Sequence, residues 1–196
     1  MGYQSWEETL VTLKTSSPLQ TTYTTAKSVF GVDGTDLAAA AKFTVPANFF
    51  VSGRTLMLSL RGALSNIVTT PGTITFQVML GAVIAWTSGA INFSTTAHTT
   101  LPFWLDIDLT AQAEGAGTQA KLMGQGVITS QTVSNTSAAD SVAASLPTLL
   151  LPNTNPALGT GFDMTASQKI DVFAGFSISN AGNGIRVDQY RLRALN

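Results

Sequence analysis

The stretch TITFQVML, Thr73–Leu80, sets a polar against an apolar residue at almost every second position. That period decides what the segment can become, because successive side chains of a strand point to opposite faces. Ile74, Phe76, Val78 and Leu80 then share one face and are expected to fill a core. The same rhythm, or short apolar runs bounded by turn residues, recurs at Thr9–Lys14, Thr21–Val29, Phe43–Pro46, Arg54–Ser65, Val83–Thr87, Thr99–Thr110, Ala120–Gln131, Gln168–Ser179 and Gly184–Leu195. Gly81 separates two of these runs with too little chain for a crossover, which predicts an antiparallel hairpin. In RTLMLSLRGALS, Leu56, Leu58 and Leu60 share a face and Arg61-Gly62 marks a predicted bulge. Helical period survives for one turn only, in the alanine run before Lys42, with Thr35 or Asp36 as its cap.

Eight or more strands without intervening helices predict an all-β fold, a two-sheet antiparallel sandwich of jelly-roll type. An immunoglobulin-like sandwich fits less well, since 196 residues is nearly twice the size of that domain. The expected organisation is a single β-sandwich domain over residues 19–196, preceded by an N-terminal arm or edge strand over residues 1–18. Residues 134–165, rich in Ser, Ala, Asn and Pro, read as a long surface connection. Within it LPTLLLP, Leu146–Pro152, reads as a buried connector or an edge strand.

Only 11% of the residues are charged, against about 25% in ordinary soluble domains. The net charge of −1 supplies no field for a polyanion, so nucleic acid is not an expected partner. Low charge also removes a defence against self-association, and copies of the chain or a larger partner are expected beside it. The chain has no cysteine, which excludes disulfides, a thiolate nucleophile and cysteine-ligated metals. No apolar stretch approaches the ~20 residues of a membrane-spanning helix, and MGYQSWEETLVTLK lacks the basic-then-apolar order of a signal peptide. No membrane partner is expected.

Candidate chemistry is sparse. His98 is the single histidine and has no second histidine to share a metal. Asp106 and Asp108 are two apart in WLDIDLT, so they share the face opposite Leu105, Ile107 and Leu109. A hard cation or an acid–base pair could use them, but the simplest pattern leaves them on a solvated strand face. A glycan hydrolase would need two such carboxylates across a cleft. Asp33 and Asp36 read as turn aspartates. The Gly115–Gly117 and Gly124–Gly126 stretches lack the helix and lysine of a phosphate-cradling loop. No serine sits in a G-x-S-x-G elbow. Catalytic residues, metal ligands and cofactors are therefore not expected, and neither is enzymatic activity. Trp86 and Trp104 lie in apolar strands and are expected in the core or a subunit interface, while Trp6 is expected to be exposed.

Three segments, SNIVTTPGTITFQVMLGAVIAW, STTAHTTLPFWLDIDLTAQAEGAGTQAKLMGQGVITSQ and NGIRVDQYRLRALN, together resemble a family of virion-associated proteins of tailed bacteriophages, most of them without an assigned role. The closing segment matches at Gln189, Tyr190, Leu192, Leu195 and Asn196 and departs from the pattern at Arg191 and Arg193. The resemblance implies a β-sandwich structural protein of the virion, a homotrimer that decorates or cements the capsid surface by bridging the phage major capsid protein. A receptor- or carbohydrate-binding tail module is the alternative. The family brings no catalytic motif. Capsid contacts are expected from the N-terminal segment, at Trp6, Glu7, Glu8, Leu10, Val11 and Leu13: a short strand-like stretch set off by SSP can add to a neighbour's sheet edge. Glu7 and Glu8 would then meet basic residues there.

Overall fold

The computed structural model describes residues 7–32, 35–134 and 147–195. Its strands in chain order are Glu7–Thr12 (β1), Gln20–Thr21 (β2), Lys27–Ser28 (β3), Thr44–Val45 (β4), Thr55–Asn66 (β5), Thr73–Leu80 (β6), Val83–Thr87 (β7), Ile91–Phe93 (β8), His98–Ala113 (β9), Lys121–Ser130 (β10), Val133–Ser134 (β11), Thr148–Leu151 (β12), Gln168–Phe176 (β13) and Gly184–Leu195 (β14). One six-residue helix, Asp36–Ala41 (α1), follows β3. Its cap is Thr35, whose hydroxyl accepts from the Ala38 amide at 3.3 Å.

All pairings are antiparallel, and they make two sheets. The first runs β1-β14-β5-β9-β10-β12, with β2 also on β14; the second runs β11-β8-β6-β13-β3, with β4 on β13 and β7 on β6. Among the described residues the chain changes sheet after β2, β4, β5, β8, β10, β11, β12 and β13. The two sheets close on each other as a sandwich, as the alternation requires: Ile74, Phe76 and Val78 are fully buried, as are Leu56, Leu60, Phe103, Leu105 and Leu109. Aromatic pairs join the layers. Phe76 of β6 stacks on Phe103 of β9 at 6.2 Å, and Phe30 meets Tyr190 of β14 at 4.7 Å between ring centroids.

Crossovers between sheets leave backbone groups that no ladder satisfies, and two asparagines bind them. Asn66 donates to the carbonyls of Ser94 and Thr96 at 2.7 and 2.8 Å. Asn183 accepts from the Ile67 amide at 3.1 Å and donates to the Pro71 carbonyl at 3.1 Å. Both are almost wholly buried, which is tolerable only because these bonds are made.

Several sequence expectations need correction. The run Thr21–Val29 is not one strand: β2 adds to β14 in the first sheet and β3 to β13 in the second, so the segment crosses between layers. The bulge expected at Arg61-Gly62 belongs to the facing strand. Val187 opposes Gly62 and Gln189 opposes Arg61, leaving Asp188 as the extra residue. A Cβ at Gly62 would collide with the Arg186 carbonyl, so the glycine admits its neighbour's bulge. From the expected connector or edge strand at Leu146–Pro152, Thr148–Leu151 forms the edge strand β12, paired among the described residues with β10 alone. Most of the expected connection that precedes it, residues 135–146, lies outside the described residues.

The N-terminal segment runs along β14. Glu7 opposes Leu195 and Thr12 opposes Arg191, the Leu13 amide donates to the Tyr190 carbonyl at 2.9 Å, and the Ser17 amide to the Val187 carbonyl at 2.7 Å. Val11 and Leu13 turn inward and join the core.

Candidate functional site

With the core closed, polar chemistry is displayed on the outer face of the first sheet, and the strand register sets it out in cross-strand rows. One row reads Gln189, Arg61, Trp104, Thr129, Thr148 across β14, β5, β9, β10 and β12. The next reads Thr12, Arg191, Ser59, Asp106, Val127, Leu150, beginning on β1. The third reads Thr9, Arg193, Met57, Asp108, Gln125. Neighbouring strands lie about 4.8 Å apart and rows about 7 Å apart.

This grid forms a groove of about 620 Å³. Its floor is Ser59 and Met57 on β5; one wall is Arg191 and Arg193 on β14, the other Asp106 and Asp108 on β9. At one end Arg61 donates from Nη1 and Nη2 to the two carboxylate oxygens of Asp106, each at 2.9 Å, and its guanidinium lies 5.2 Å from the centre of the Trp104 ring. At the other end Arg193 donates to Glu7 at 2.7 Å. Arg191 and Asp108 have no ion-pair partner among the described residues. Partial burial, and secondarily the charge of Asp106, hold the Asp108 carboxyl above the ordinary aspartate value, with Arg193 opposing them.

The paired aspartates therefore lie where the alternation places them, on the outer face, with Leu105, Ile107 and Leu109 buried behind them. Of the two places expected for Trp104, the core and a subunit interface, the structure rules out the core. The side chain is 59% exposed, because its neighbours Phe103 and Leu105 take the inward positions. Trp86, by contrast, is buried at 4% exposure. The partnership of Arg61 with Trp104 and Asp106 has no signal in local sequence, since the residues stand more than forty positions apart.

Among the residues expected to contact a partner, Trp6 lies outside the described residues. Glu7 and Glu8 are exposed at the start of β1, Leu10 is half-buried at an irregularity in the β1–β14 pairing, and Val11 and Leu13 are buried. His98 opens β9 and is half-buried. Among the described residues no group of three or more His, Asp or Glu side chains converges as metal ligands would.

A second depression, of about 650 Å³, opens beside α1 and β13. At its base Lys42 places its ammonium 2.8 Å from Asp171, both side chains being over nine-tenths buried. The ammonium also donates to the Gly31 carbonyl at 3.1 Å, and the Ser28 hydroxyl donates to Asp171 at 2.8 Å. Burial raises the Asp171 carboxyl above its ordinary value, against the lowering effects of Lys42 and Ser28. Burial, and then Asp171, likewise raise the hydroxyl of Tyr190.

No family model matches the chain, and no curated protein matches it. Among solved structures the chain is similar to the CBM2 module of the evolved Dit of Lactobacillus casei BL23 phage J-1. The likeness covers 99% of this chain and 98% of that one, at 12% identity and a TM-score of 0.34, and a likeness that distant assigns no function.

Proposed function

We propose that the chain is a non-enzymatic structural protein of a tailed-phage particle, a decoration or cement protein that sits on the capsid surface as a homotrimer and bridges subunits of the major capsid protein. The observation that carries the reading is the outer edge of β1. Among the described residues β1 has a strand neighbour on one side only, and it presents Glu7, Glu8 and Thr9 to solvent. An irregularity and the carboxylates guard such an edge against pairing with its own copy, and Glu8, beside the Glu7 that Arg193 already binds, leaves it open to a partner strand with basic side chains. The family resemblance, the low charge and the solid core support the same reading. Contacts of this kind act mechanically: expansion or unfolding of the shell has first to break them.

Immunogold electron microscopy of purified virions, with antibody against this chain, tests the location. Label spread over the head is expected, and label confined to the tail tip overturns the cement reading. Because Val11 and Leu13 are core residues, the attachment edge is tested by charge reversal, Glu7→Lys with Glu8→Lys, rather than by deletion. The double variant is expected to fold and to lose particle binding.

A second reading, a receptor- or carbohydrate-binding tail module, is favoured by one observation: the exposed ring of Trp104 lies beside Arg61, which lines one end of a largely polar groove.

A further inference from the structure

We propose that the groove on the outer face of the first sheet binds a neutral polysaccharide lying along β5, which reaches past Arg61 at one end to the adjoining ring of Trp104, with Arg191 and Asp108 as two polar walls that lack an ion-pair partner among the described residues. The proposal rests on the carbohydrate-binding reading and gives it a site and a ligand class.

Among the described residues the groove leaves two of its charges without an ion-pair partner. Of its four charged wall residues, Asp106 is held by Arg61 and Arg193 by Glu7. Arg191, a donor with no acceptor capacity, and the ionised Asp108, an acceptor with no donor capacity, face each other diagonally over Ser59 and Met57. They stand two strand spacings and one row apart, roughly 12 Å. A ligand with net negative charge gains from Arg191 and is repelled by Asp108; a cation meets the reverse. Hydroxyl groups both donate and accept, so one sugar can satisfy both walls without carrying charge.

The floor and the end of the groove fit the same ligand. Ser59 adds a small polar contact and Met57 an adaptable apolar one, matching the mixed faces of a pyranose ring. Trp104 supplies a rigid aromatic surface, fixed from one side by the Arg61 guanidinium, which is itself locked by its two bonds to Asp106. An aromatic anchor held in place loses little entropy when a ligand stacks on it. The volume of about 620 Å³ lies within the roughly 300–1,000 Å³ usual for ligand sites, and the groove follows the strands, so a chain can extend beyond it at either end.

The test uses the full chain against an immobilised panel of neutral glucans, galactans and mannans beside uronic-acid polymers, with affinities for any hit measured at low and high salt. A neutral polymer is expected to bind with little dependence on salt, and Trp104→Ala and Asp108→Ala are each expected to weaken binding about tenfold or more. Ile84→Ala, on an exposed position of the second sheet, is expected to leave it unchanged, and circular dichroism checks that each variant folds. Binding to a neutral polymer that survives both groove substitutions overturns the site while the carbohydrate reading stands. Preference for the uronic-acid polymers, with affinity falling steeply in salt, overturns the ligand class. Absence of binding to the whole panel overturns the carbohydrate reading together with the proposal.

Discussion

Arg61 grips Asp106 across the β5–β9 pairing with two parallel hydrogen bonds of 2.9 Å. The fork leaves the guanidinium plane beside Trp104, so one side chain both neutralises a carboxylate and orients an indole. Lysine can do the first but not the second, having neither a planar fork nor a delocalised cation. Arg61→Lys is therefore expected to shift the fluorescence of Trp104 and raise its accessibility to a soluble quencher. Both partners are partly exposed, so stability should change by less than about 1 kcal/mol. An unchanged quenching profile would show that Arg61 does not hold the ring.

The buried pair Lys42–Asp171 behaves in the opposite manner. Asp171→Asn leaves an ammonium in the interior without its counter-charge, and chemical denaturation should register a loss of about 3–5 kcal/mol. Replacing both, Lys42→Met with Asp171→Leu, removes the desolvation cost along with the attraction and should fall near the parent stability. If the double variant is as unstable as the single one, the pair contributes more than charge balance.

Gly124 is kept small by tertiary packing. A Cβ there would collide with Cδ1 of Trp86 and crowd Leu109. Gly124→Ala is expected to cost about 1–3 kcal/mol by overpacking and to change the near-ultraviolet dichroism of Trp86. A neutral result would mean that the two sheets yield at this point.

Acid titration separates two aspartates by sign. The Arg186 fork, at 2.8 and 3.2 Å, holds Asp188 below the ordinary value near 3.8. Its stabilising contribution is complete above that unfolded value and is lost as pH falls through the lower folded one. Asp108 is raised instead, so its ionised form costs stability, and the cost fades as pH falls through the raised folded value toward the unfolded one. Carboxyl carbon NMR should find the Asp108 midpoint above 3.8 and the Asp188 midpoint below it. Asp108→Asn should stabilise the fold at neutral pH and have no effect below both midpoints; the reverse order of midpoints would refute the assignment.

Sequence alone determined the class of fold and, in the regularly alternating strands, most of the side chains that face inward. Ile74, Phe76, Val78 and Leu80 could be placed in a core because strand periodicity is local: it follows from the geometry of the peptide unit and needs no partner. The Gly81 hairpin, a helix cap at Thr35 or Asp36 and the outward Asp106 and Asp108 were legible for the same reason. The alternation around Phe103 and Leu105 also contained the outward position of Trp104, although the apolar composition of that strand pointed the other way. Pairing was settled by long-range contacts. Which strand lies beside which depends on contacts between residues far apart in the chain, and no local pattern encodes a partner's register. The split of Thr21–Val29 between two sheets, the Asp188 bulge opposite Gly62, and the docking of β1 on β14 all belong to that category. So does the groove. Arg191, Ser59 and Asp106 occupy one row because β14, β5 and β9 are neighbours in one register, and a shift of one residue in either pairing would turn that strand's polar side chains into the core.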